Sequence, residues 1–83
     1  MANQYRSALV DAVEQLGSSL TKYSAIQVDQ QQRMILCREE AIHVPFGTSK
    51  TKCLRTLRRL IKAEQLIEHK TAMKNQLTLV EDL

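Results

Sequence analysis

Residues 45–60, PFGTSKTKCLRTLRRL, admit two readings that lead to different proteins. A glycine followed by Thr48-Ser49-Lys50-Thr51 suits a loop that wraps a nucleotide phosphate. The same residues suit a turn and the opening of a helix that lies on nucleic acid. A phosphate loop needs two glycines spaced as GxxxxGK[ST], so that backbone N–H groups surround the phosphates while the lysine reaches the outer ones. Gly47 stands alone, with Thr48 and Ser49 between it and Lys50 and no glycine at the upstream position. The 83 residues show no parallel-sheet pattern and are too few for a doubly wound nucleotide-binding fold. The phosphate-loop reading fails.

The helical reading holds together residue by residue. Thr48 or Ser49 serves as the cap, and the helix runs to about Ala63. At about 100° per residue, Cys53, Leu54, Leu57, Leu60 and Ile61 share one face. The opposite face collects Thr51, Lys52, Arg55, Arg59 and Lys62, with Arg58 on its flank and Lys50 near the start. Residues 48–75 contain eight basic and two acidic side chains, a net +6, whereas the rest of the chain carries four basic and seven acidic, a net −3. A basic block on an otherwise acidic small chain points to a polyanionic partner. The bland counterpart is a solvated helix face, because Lys and Arg are good helix surface residues.

Outward from this block, residues 3–16, NQYRSALVDAVEQL, put Tyr5, Leu9, Ala12, Val13 and Leu16 on one apolar stripe. The stripe predicts an amphipathic helix that stops at Gly17-Ser18-Ser19. Residues 17–28 read as a connection. Asp29 is placed to cap a second helix that opens in Gln30-Gln31-Gln32, although Met34-Ile35-Leu36 fit a short strand equally well. Pro45 and Gly47 close that element. Beyond the basic helix, QLIEHK and NQLTLV read as two strands of a hairpin joined by TAMK. Leu66 and Glu68, then Leu77 and Leu79, give the alternation of a half-buried pair.

The run CREEAIHVPFGTSKTKCLRTLRRLIKAEQLIEH resembles the helix-turn-helix core of winged-helix DNA-binding proteins, in particular small regulators of the phage and plasmid type. Arg38-Glu39-Glu40 match the first helix, Phe46-Gly47 the turn, and Ser49-Lys50-Thr51 the opening of the second helix. Leu57 and Leu60 match its anchors, and Leu66-Ile67 the start of the wing. The resemblance covers residues 37–80 and implies a mostly α fold with a small C-terminal β-hairpin, a winged helix-turn-helix occupying the chain as one domain. Residues 3–16 would then be the N-terminal helix, 29–63 the helix-turn-helix and 65–80 the wing.

On that expectation the helix over 48–63 enters the major groove of double-stranded DNA, which is about 12 Å wide and admits one α-helix. Ser49, Lys50, Thr51, Lys52 and Arg55 meet bases or phosphates near the helix start. Arg55 is the first candidate for a base contact, because a guanidinium binds guanine O6 and N7 together. Arg59 and Lys62 hold phosphate, Arg58 joins the DNA-binding set from the flank, and Lys70, Lys74 and Asn75 on the wing touch the adjacent backbone or minor groove. The function implied is a small sequence-specific transcriptional regulator in the cytoplasm, associated with the nucleoid when bound. Two alternatives stay open: a module whose basic helix grips an acidic protein partner such as a polymerase subunit or replication factor, and an accessory DNA-bending factor for recombination. A homodimer through Tyr5, Leu9, Val13 and Leu16 would pair two half-sites, although the same stripe also suits the domain core.

Other chemistry finds little support. Cys37 and Cys53 form no CxxC pair, and with His43 and His69 their spacings match no familiar zinc site. Glu39 and Glu40 are adjacent, about 100° apart on a helix, a poor geometry for paired carboxylates. The residues suggest neither an enzyme nor a cofactor. No apolar run approaches the roughly 18 residues of a membrane span.

Overall fold

The computed structural model describes the backbone of residues 7–81 and the surroundings of side chains 7–75. It overturns the winged helix-turn-helix. The order is a helix α1 (Ala8–Thr21), three strands β1 (Ile26–Asp29), β2 (Met34–Cys37) and β3 (Glu40–His43), and a long helix α2 (Lys50–Glu81). The strands form an antiparallel meander in the order β1-β2-β3.

Helix α1 is capped by Ser7, whose Oγ accepts the Val10 N–H at 3.1 Å. Residues 1–6, including Tyr5, lie outside the described residues. Gly17 does not end the helix as the sequence predicts. It takes φ 34° and ψ −111°, a kink that glycine tolerates without a Cβ, and the helix resumes to bury Leu20. Leu9 and Ala12 are fully buried, with Val13 and Leu16 packed on the same core.

The predicted second helix over 29–44 is the sheet. Asp29 does cap backbone donors, but those of a hairpin turn: its Oδ1 accepts the N–H groups of Gln31 and Gln32, both at 3.1 Å. Met34-Ile35-Leu36 resolve as a strand whose faces alternate, with Ile35 buried and Leu36 exposed. Arg38-Glu39, expected in a helix, form the turn between β2 and β3, because Cys37 pairs with Glu40 across it. The register puts Ile26, Cys37 and Glu40 on one face with Val28, Ile35 and Ile42. Ile26, Ile35 and Cys37 meet Leu9, Leu20, Leu57 and Ile61 from both helices in one cluster, so the helices cover that face.

The expected wing over 65–80 is helix. No glycine or proline follows Gly47, and TAMK holds no residue that favours a tight turn. Leu, Met, Ala, Glu, Gln and Lys dominate the stretch and all favour helix. Helix α2 therefore continues without a break, about 48 Å long over its 32 residues. Its first half seals the core with Cys53, Leu54, Leu57, Leu60 and Ile61, and its side chains from Gln65 to Asn75 are all exposed.

Candidate nucleic-acid interface

The opening of α2 is built by the loop before it. Thr48 donates both its N–H, at 3.1 Å, and its hydroxyl, at 2.7 Å, to the Pro45 carbonyl. Ser49 Oγ then accepts the Lys52 N–H at 3.3 Å, so the hydroxyl expected to meet DNA is occupied as the helix cap. Lys50, Thr51, Lys52, Arg55, Arg58, Arg59 and Lys62 are all exposed. The face opposite them is buried, which fixes the outward direction of the basic side chains. Among the described residues Lys52, Arg55, Arg58 and Lys62 make no ion pair.

Arg59 differs. Its Nη2 lies 3.3 Å from Glu40 Oε1, a pair reaching from α2 to β3, with both side chains more than half exposed. Such a solvated pair adds little to stability. It does cancel one positive charge at the centre of the basic face, which the sequence alone did not show.

Lys70, Lys74 and Asn75 are separated from the others. They stand on the second half of α2 rather than on a wing, and Lys70 lies about 12 Å along the axis from Lys62. Lys70 keeps the angular position of Lys52, whereas Asn75 falls on the side that the first half turns to the core. Exposed Leu66 and Met73 share the outward side of Arg55 and Arg59. The outer surface of α2 thus mixes exposed apolar side chains with Lys70 beyond its basic first half.

Sequence reasoning missed two further features. Phe46 is 90% exposed, and the Arg33 guanidinium carbon sits 5.0 Å from its ring centroid. The signal for Phe46 was an aromatic between proline and glycine in a turn. Arg33 comes from a distant hairpin and carried no local signal. The second feature is a buried carboxylate, Glu64, which accepts hydrogen bonds from Arg38 Nε at 2.7 Å and Nη2 at 2.9 Å. The bonds from Arg38 hold the Glu64 carboxyl below its ordinary range, against the opposing effect of burial. Burial, reinforced by the Glu64 charge, raises the Cys37 thiol, and burial likewise raises Cys53. Both thiols are therefore held protonated, a state that suits core packing rather than nucleophilic chemistry. Among the described residues no group of three or more His, Cys, Asp or Glu gathers into a metal site, and no helix is long and apolar enough to cross a membrane.

The chain matches no known protein-family profile, no curated protein and no solved structure.

Proposed function

We propose that this protein binds double-stranded DNA through the outer face of the first half of α2 and acts as a small regulator by occupying its site. The observation that carries the reading is the outward stripe Lys52, Arg55, Arg58 and Lys62, unpaired by any described carboxylate and held on a helix whose opposite face is locked into the core. A rigid helix presenting long cationic donors suits a groove lined by phosphates. Arg55 is the candidate for a guanine edge, and Lys52, Arg58 and Lys62 hold the backbone. Lys70 extends the cationic track along the same helix.

The test is duplex binding by the wild type and by Arg58→Ala/Lys62→Ala, followed by fluorescence anisotropy across a salt series. Loss of two phosphate contacts lowers the slope of log K against log salt by about 1.8. Equal, salt-insensitive binding by both proteins would sink the proposal. A second reading draws on exposed Leu66 and Met73 beside the basic stripe: an acidic, partly apolar protein segment fits that combination. It predicts no preference for any duplex sequence, together with loss of the protein partner on Leu66→Asp.

A further inference from the structure

The loop that delivers the chain to α2 holds an aromatic ring out in solvent, and it does so with several restraints. Pro45 fixes its own φ, and Gly47 takes φ 91°, which a residue with a side chain rarely adopts. The Pro45 carbonyl accepts from the Thr48 N–H and hydroxyl. From the other side, Arg33 Nε donates to the Val44 carbonyl at 2.9 Å and Nη2 to the Pro45 carbonyl at 3.4 Å, while the Val44 N–H donates to the Arg33 carbonyl at 2.8 Å. Arg33 is thereby pinned to the backbone of the two residues before Phe46, with its guanidinium over the Phe46 ring at 5.0 Å.

Phe46 is nevertheless 90% exposed, far more than Leu66 at 55% or Met73 at 50%. One ring face is backed by a fixed cation and the other is open. The first turn of α2, with Lys50 and Lys52, begins only a few residues on. A planar π surface carrying negative charge nearby is the chemistry that such a ring would take, and a nucleobase with its phosphate has both. A ring with a cation held over one side offers its other side as a platform for one base rather than a wedge between two.

We infer that Phe46 stacks on an unpaired base adjoining the duplex held by α2, so that the preferred ligand is duplex DNA with a single-stranded extension. The inference rests on the duplex-binding reading above and deepens it. Arg33 is the positioning residue: it holds the ring and polarises its far face without touching the base.

The chain contains no tryptophan, so Phe46→Trp introduces a single reporter at the platform. The wild type, Phe46→Ala and Phe46→Trp would be titrated with a blunt duplex and with the same duplex carrying a short 5′ or 3′ extension. The wild type should prefer one extended duplex by roughly tenfold, the scale of one base–aromatic stack. Phe46→Ala should lose that preference while keeping its affinity for the blunt duplex and its salt slope. Phe46→Trp emission should quench on the extended duplex and hold steady on the blunt one. Equal binding of blunt and extended DNA, with unchanged tryptophan emission, overturns the stacking inference and leaves duplex binding standing. Equal loss of both ligands by a folded Phe46→Ala overturns it as well, because the ring would then serve the duplex itself. Failure of the wild type to bind any of the duplexes removes both readings together.

Discussion

Arg38 and Glu64 join the turn between β2 and β3 to the middle of α2 through two parallel hydrogen bonds, 2.7 and 2.9 Å long, between residues 26 apart in sequence. The carboxylate is buried, with Cys37 Sγ also donating to it at 3.7 Å. Arg38 holds its place at φ 56°, a left-handed conformation that glycine would adopt more easily. The turn thus keeps a strained arginine where a glycine would suit the backbone, and the fork to Glu64 is the compensating contact. Arg38→Ala loses the fork and keeps the strain, whereas Arg38→Gly loses the fork and relieves it. Both variants should be less stable than the wild type, with Arg38→Gly the better of the two by about 1 kcal/mol. Urea midpoints decide it, and equal midpoints would remove the strain argument.

Acid should weaken the same junction. The folded Glu64 carboxyl has a lowered pKa, chiefly through its bonds from Arg38, so the unfolded chain takes up its proton at a higher pH than the folded one. The stability that Glu64 contributes is fully present above the ordinary carboxylate range and is lost as pH falls through the lowered value. Melting temperature followed downward from pH 6 should therefore drop less steeply for Glu64→Gln than for the wild type. Parallel profiles would show that Glu64 does not carry the acid sensitivity.

Glu40 offers a gain of binding rather than a loss. Its carboxylate occupies Arg59, so Glu40→Gln should release a cation into the basic face and remove a repulsive charge beside it. Duplex affinity at low salt should rise, and the magnitude of the salt slope should grow by about 0.9 if Arg59 then reaches a phosphate. An unchanged slope would mean that Arg59 stands away from the DNA.

Leucines on the two halves of α2 should respond very unequally to truncation. Leu57 is fully buried, and Leu57→Ala should cost about 2–5 kcal/mol. Leu66 is 55% exposed, and Leu66→Ala should change stability by no more than about 0.5 kcal/mol. Ala72→Pro probes the helix directly. A hairpin loop would accept it, but a continuous helix must lose circular dichroism at 222 nm. Retention of the full helical signal would reinstate a hairpin there.

Thiol chemistry gives an independent check on the core. With both thiols buried and their pKa values raised, Cys37 and Cys53 should react with a disulfide reagent only as fast as the protein unfolds. Prompt reaction of either cysteine in the native protein would contradict the packing.

What the sequence disclosed depended on which contacts are local. The α2 faces could be read directly, because Cys53, Leu54, Leu57, Leu60 and Ile61 recur at helical spacing and all are buried. The stripe Leu9, Ala12, Val13 and Leu16 was equally plain, although Gly17 suggested a stop where the helix only kinks. The sheet was harder to see, since Met34-Ile35-Leu36 is apolar on both faces of a four-residue strand, and Asp29 caps a hairpin turn as readily as a helix. The C-terminal hairpin was an error with a visible warning. The alternation of Leu66, Glu68, Leu77 and Leu79 satisfies a strand period only if a turn intervenes, and TAMK lacks the residues that make one. Arg33 over Phe46, Arg59 with Glu40 and Arg38 with Glu64 each join residues distant in sequence, so no local pattern announces them.

Past the Tyr23 hydroxyl, which meets Glu68 at 3.3 Å, the side chains from His69 to Asn75 are all exposed and add nothing to the buried core. A ladder without a packed face opens at a lower free energy than one sealed into a core. Amide hydrogen exchange should therefore show a staircase along α2, with protection near the global limit at Leu57 and Leu60 and descending from Glu68 onward. The helix would behave as two materials in one rod: a rigid keel inside the fold, and an outer spar that opens and recloses more readily.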